Sequence, residues 1–270
     1  MFNLGLGMTR VDFERVSKQK KLFLLTMLLQ LIAIPTLAVI IIACTKLSQP
    51  LQTGLLLIAI VPTGVTAAVF SHYMGGNAPL NVSMTTISTL VATATLPFGI
   101  NWSVGTALGL AQSNPQVLQR TLAALGIIII PVVMGLIVSH LGKKYIGNLQ
   151  RVLSKVAVGS LLLLVLGSIW AERSKILAYA DQLLLPLFVL LTLSFFIGFI
   201  ALKLFETSRA NRISVGLQLA VHNTGLAIFI GISVLGSTEY AVPAALYTVL
   251  TYCTVAAVSI TRKLRLHYYA

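Results

Sequence analysis

Eight stretches of this chain run for about 20 residues with few or no charged side chains, the length needed to cross the hydrocarbon core of a bilayer. They lie at 22–44, 52–74, 78–98, 118–140, 154–172, 183–204, 213–234 and 240–261. Lipid offers no water to satisfy backbone N–H and C=O groups, so apolar runs of this length have to be helices that close their own hydrogen bonds. The expected fold is therefore an all-α, polytopic membrane protein. Composition agrees, since 9% of the 270 residues are charged and 57% hydrophobic, where a soluble domain carries roughly a quarter charged residues.

The net charge of +13 falls in short clusters between apolar runs and not on one face of a soluble module, which excludes a nucleic-acid partner. Positive loops stay on the cytoplasmic side of a membrane. With Arg10, Arg15, Lys18, Lys20 and Lys21 inside, alternation also places inside Lys143, Lys144, Arg151, Lys155, Lys203, Arg209, Arg212, Arg262, Lys263 and Arg265. That is 15 of the 19 basic residues; Lys46, Arg173 and Lys175 remain outside, with Arg120 near a helix start. The expected location is a bacterial inner or plasma membrane, multi-pass, with a cytoplasmic C-terminus. Residues 1–21 read as the end of a preceding helix and a basic loop, because their short apolar part precedes the basic run, the reverse of a signal peptide. Cys44 and Cys253 are too few for a disulfide framework and lack metal-ligand spacing.

Two of the apolar runs are broken in the middle. "LIAIVPTGVTAAVF" (57–70) carries Pro62-Thr63-Gly64 and "QLAVHNTGLAIFI" (218–230) carries His222-Asn223-Thr224-Gly225. At an offset of 161 the runs share Ala59/Ala220, Thr63/Thr224 and Gly64/Gly225, followed by Gly75/Gly236. By the loop count the first runs out to in and the second in to out, so the two units are inverted. A helix break inside lipid costs several kcal/mol per unsatisfied group unless it lines a cavity or is buried in protein. Two breaks in inverted units predict a crossing near the midplane, the usual place for a transporter's substrate site. Thr63, Gly64, Thr66, His222, Asn223, Thr224 and Gly225 are its candidate residues. The setting is polar, has no carboxylate and has helix N-termini nearby, and so favours an organic anion, from a small to an amphipathic carboxylate.

Intramembrane enzymes are poorly supported. Hydrolysis at a metal needs three or more ligands and aspartyl chemistry needs two intramembrane acids, whereas Asp12, Glu14, Glu172, Asp181, Glu206 and Glu239 all fall in loops or near span ends. The run "SMTTISTLVATAT" (83–95) reads mainly as helix-packing glue, with a functional vote only for its first turn. His72 reads as interfacial, as do Trp102, Trp170, Tyr240 and Tyr268. A lone intramembrane histidine such as His222 is a functional-site candidate, and a proton-coupling group by the pKa of an unperturbed imidazole.

Taken in order, "LGLGMTRVDFERVSKQKK", "LLQLIAIP", "VPTGVTAAVFSHYMGGNAPLNVSMTT" and "GLQLAVHNTGLA" resemble the signature segments of the bile acid:sodium symporter family. The resemblance implies two inverted five-helix repeats, a panel domain, and a core domain whose two broken helices cross. It also implies that the first helix and nearly all of the second would precede Met1, as in a truncated reading frame or a shortened member. On this frame 1–21 is the end of that helix with its loop, 22–98 and 183–261 are core helices, 99–182 are panel helices and loops, and 262–270 is a cytoplasmic tail. Gln30 matches the family's glutamine, Thr85 a sodium-ligating threonine, and Asn81 an oxygen ligand usually supplied by serine. Gln218 stands where the family has its sodium-binding glutamate, and His222 where it has a glutamine; Ala67 and Ala68 replace a Ser-Asn pair. The function implied is secondary transport of an organic anion with weakened or altered coupling. Na+ at Gln30, Asn81, Thr85 and Gln218, protons at His222, and no coupling are all left open, as is the oligomeric state. The alternative is a non-transporting membrane sensor or scaffold, or a truncated, inactive transporter.

Overall fold

The computed structural model describes residues 10–107 and 173–268 apart from 206, with isolated positions at 2, 6 and between 119 and 170. The expected spans 118–140 and 154–172 lie largely outside the described residues. Among those residues the chain is helical throughout, and the one β-type pairing is an isolated antiparallel bridge between Thr63 and His222.

Among the described residues ten α-helices are delimited: α1 Arg10–Lys18, α2 Lys20–Leu28, α3 Ile34–Ala43, α4 Gln49–Ile60, α5 Thr66–Met74, α6 Ala78–Ala107, α7 Arg173–Ala201, α8 Arg209–Ala220, α9 Thr224–Phe229 and α10 Val242–Tyr268. A π turn, Leu29–Ala33, joins α2 to α3. Its cause is Pro35, which lacks an N–H and whose ring presses on the carbonyl one turn back, so the ladder widens there. Pro97 acts similarly in α6, which bends by 66° around residue 93, four residues before the proline. Lys20–Ala43, Arg173–Ala201 and Thr238–Thr261 are each long and apolar enough to cross a membrane, and the bent α6 makes a fourth such span.

Both broken runs divide where the sequence places the breaks. Helix α4 ends at Ile60 and α5 begins at Thr66; α8 ends at Ala220 and α9 begins at Thr224. Both approach helices are enclosed by protein. Leu55 to Ala59 are fully buried on every side of α4, as are Ser214 to Ala220 on α8. A helix buried all round belongs to a core, so the breaks at its end open into protein and not into lipid. The main core gathers α3, α4, α6, α7, α9 and α10 around Leu55, Leu56, Leu187 and Tyr247. Among the described residues Gly75 and Gly236, 161 residues apart, are the two glycines with positive φ, at 73° and 80°.

Some boundaries differ from the hydropathy reading. Arg10–Lys18 is a helix and not a loop; it is too polar to span, yet Asp12 in its first turn and Lys18 in its last favour the helix dipole. Helix α7 starts at Arg173, ten residues before its apolar edge, so Arg173, Lys175 and Asp181 sit on helix rather than in a loop. Helices α6 and α10 likewise run on past 98 and 261. Hydropathy marks where a helix meets lipid, whereas hydrogen bonding continues as long as helix formers follow.

Candidate functional site

The two breaks satisfy each other. Pro62 has no N–H to donate, and its carbonyl accepts from Asn223 N at 2.8 Å, while Gly64 N donates to Val221 O at 2.9 Å. These two bonds flank the Thr63–His222 pair and make a two-strand crossing inside the protein. The remaining orphans go to side chains. Thr63 N donates to Ser88 Oγ at 3.4 Å, and Thr63 Oγ1 donates to Gln218 O at 2.7 Å. The Ala220 carbonyl accepts from Tyr247 Oη at 2.7 Å. Asn223 caps α9, its Oδ1 accepting from Leu226 N at 3.1 Å, as short polar residues do at helix starts. Close approach explains Gly64, where a Cβ would stand 3.0 Å from His222 O.

Beside the crossing lies a cavity of about 40 Å3, lined by Gly64, Thr66, His222, Asn223, Thr224 and Gly225 together with Thr248, Thr251 and Tyr252 of α10. Six of the seven candidate substrate residues therefore share one cavity. Thr63 is the exception: it is buried and its hydroxyl is committed to the Gln218 carbonyl. His222 is buried beside the Tyr247 ring, the centroids 5.7 Å apart. The Thr248 hydroxyl lies within donating distance of both Thr224 Oγ1, at 2.7 Å, and Ala244 O, at 2.8 Å. Tyr252 lies edge-to-face on Phe70, ring centroids 5.2 Å apart. Two larger grooves, of about 660 and 610 Å3, flank α3; the first is closed at one end by Lys46, Asp181 and Gln182, and the second runs over the π turn at Gln30 to Thr95 and Trp102 of α6.

The four candidate cation ligands separate into two groups. Asn81, Thr85 and Gln218 come together, with Gln218 Oε1 accepting from Asn81 Nδ2 at 3.3 Å and from Thr85 Oγ1 at 3.4 Å. Gln30, carried on the π turn, instead pairs with Ser88 at 2.8 Å, and through it braces the first break. Ser88, Ser214, Tyr247 and Tyr252 were not singled out in the sequence. Only Ser88 had a usable signal, since 81, 85 and 88 share one helical face. Thr86, Thr89 and Thr95 do bond their own helix carbonyls, as packing threonines do. His72 is exposed at the end of α5, away from the crossing.

Residues 1–179 match the model of the Sodium Bile acid symporter family. The chain belongs to that family. Its relatives include a probable sodium/metabolite cotransporter of rice chloroplasts, BASS2, 25% identical over 92% of this chain and 58% of the relative. The Arabidopsis thaliana chloroplast protein BASS1, also named a probable sodium/metabolite cotransporter, is 24% identical over 92% of this chain and 61% of its own length. An uncharacterized sodium-dependent transporter of Bacillus subtilis, YocS, is 22% identical over 92% and 76%. The chain thus spans about three fifths of the two plant relatives. Family and helices together make it an integral membrane protein.

Proposed function

We propose that this chain is a secondary transporter that binds an organic anion, a small or amphipathic carboxylate, at the crossing of two inverted units and exposes it alternately to the two sides. The observation that carries this reading is the mutual pairing of the two breaks beside a cavity lined by hydrogen-bonding groups and no carboxylate. The amide of Asn223 has its oxygen engaged on Leu226 N, which leaves the NH2 group to donate to a carboxylate. Thr66 and Tyr252 add hydroxyls from facing elements. The paired left-handed glycines at 75 and 236 support the inverted repeat, with 22–98 and 183–261 as core helices and 99–182 as panel helices and loops. Binding in such a cavity takes the carboxylate head and leaves an apolar remainder against the helices around it.

The test is uptake of radiolabelled carboxylates into proteoliposomes, beside binding to the same purified protein. Asn223→Asp keeps an oxygen for the α9 cap but replaces the donor with negative charge. It is expected to keep a normal detergent size-exclusion profile and to lose carboxylate binding and uptake at least tenfold. Normal uptake by that variant removes Asn223 from the substrate site, and wild-type binding without any uptake identifies a sensor instead of a transporter.

A further inference from the structure

The Asn81–Thr85–Gln218 cluster is where sodium would be expected, and its hydrogen-bond polarity does not fit a bare cation. A backbone carbonyl can only accept. The contact of Asn81 Nδ2 with Ser214 O at 3.0 Å therefore fixes which end of the Asn81 amide faces α8. Ser214 is itself held by several partners: its hydroxyl meets Ala210 O at 3.0 Å, Asn77 N at 2.6 Å and Ser71 Oγ at 2.8 Å. The same Asn81 NH2 group faces Gln218, so Gln218 has to turn its oxygen toward it, and the Thr85 hydroxyl donates to that oxygen too. Two buried atoms are left without partners, Asn81 Oδ1 and Gln218 Nε2. One is an acceptor and the other a donor.

Hard cations take oxygen ligands. Here the Gln218 oxygen is already shared by two donors, and the free end of that side chain is an N–H group, which repels a cation. Rotating Gln218 to offer its oxygen sets Nε2 against the Asn81 NH2, donor against donor, and Asn81 cannot turn because Ser214 O only accepts. Gln218 is fully buried, and among the described residues no acidic side chain is hydrogen-bonded to Asn81, Thr85 or Gln218 to neutralise a cation's charge. We infer that this position is a neutral hydrogen-bond junction between α6 and α8 which excludes sodium, and that Nε2 of Gln218 is the atom that excludes it. The transport reading above bears only on what this means for coupling.

Purified protein is unfolded thermally in NaCl, KCl and choline chloride at equal ionic strength, followed by tryptophan fluorescence, with 22Na+ binding measured alongside. The wild type is expected to give one midpoint in all three salts and no saturable 22Na+ binding. Gln218→Glu puts an oxygen and a charge where Nε2 stands, so its midpoint should rise with log [Na+], as ligand linkage requires. Folding of that variant in sodium alone counts as the same result. A sodium-selective, saturable rise in the wild type that Thr85→Val abolishes overturns the inference. So does a folded Gln218→Glu that sodium leaves unchanged. If Gln218→Glu folds in no salt, the wild-type titration and 22Na+ binding decide alone. No arm measures uptake, so the junction and the anion reading fail independently.

Discussion

Asn223 shows how one side chain serves structure and chemistry together, since its oxygen caps α9 while its nitrogen stays available at the cavity. The sequence marks such a residue by type, as a short polar side chain where a helix restarts, but does not say which end of the amide is spent. Thr63 shows the limit of that reading. It shares the repeat with Thr224, yet its hydroxyl is buried in the crossing and serves the Gln218 carbonyl, because bridging geometry, invisible in one dimension, turns it inward. Gly64 makes the sharpest test at this scale. An added methyl meets His222 O at 3.0 Å, so Gly64→Ala has to part the two bridged segments. Overpacking of this kind costs about 1–3 kcal/mol. We expect a lower thermal midpoint in detergent and weaker carboxylate binding; an unshifted midpoint would mean that the crossing is looser than the bridge implies.

Among the helices, α10 is the element that hydropathy most underrates. It reads as one more apolar span, but Tyr247 and Thr248 reach from it to both sides of the second break, at Ala220 O and Thr224 Oγ1. Tyr247 is fully buried. Tyr247→Phe keeps the ring in place and takes the hydroxyl donor away from the Ala220 carbonyl, and leaving a buried acceptor unsatisfied costs about 1–3 kcal/mol. Thermal unfolding should show that loss as a lowered midpoint, whereas a midpoint equal to the wild type would show that another group takes over the carbonyl. The proline-linked π turn before α3 is legible in outline, from Pro35 alone, but its consequence is not: it sends Gln30 to Ser88 and away from Asn81, Thr85 and Gln218.

Across the whole molecule, contacts at the helix ends sort the loops into two sets. Arg15 donates to Pro79 O at 3.0 Å and to Ser83 Oγ at 2.6 Å, and Asn77 Nδ2 donates to Asn211 Oδ1 at 2.9 Å, so α1, the α5–α6 turn and the start of α8 share one end. Lys175 Nζ donates to Thr238 Oγ1 at 3.0 Å at the other. Among the described residues, the basic ends carrying Arg15 and Arg209 belong to the first set. A C-terminal phosphatase and fluorescent-protein fusion pair is expected to report a cytoplasmic C-terminus; phosphatase activity with no fluorescence would invert the topology. Four of the eight expected spans, both break positions and the family motifs were legible in the sequence itself, because transfer from water to lipid and the absence of a proline N–H act residue by residue. Which broken carbonyl meets which donor, why Thr63 faces inward, and how the Asn81 and Gln218 amides are turned were decided only by the tertiary structure. Those outcomes depend on two segments about 160 residues apart meeting in antiparallel register, and hydrogen-bond direction exists only once both partners are in place.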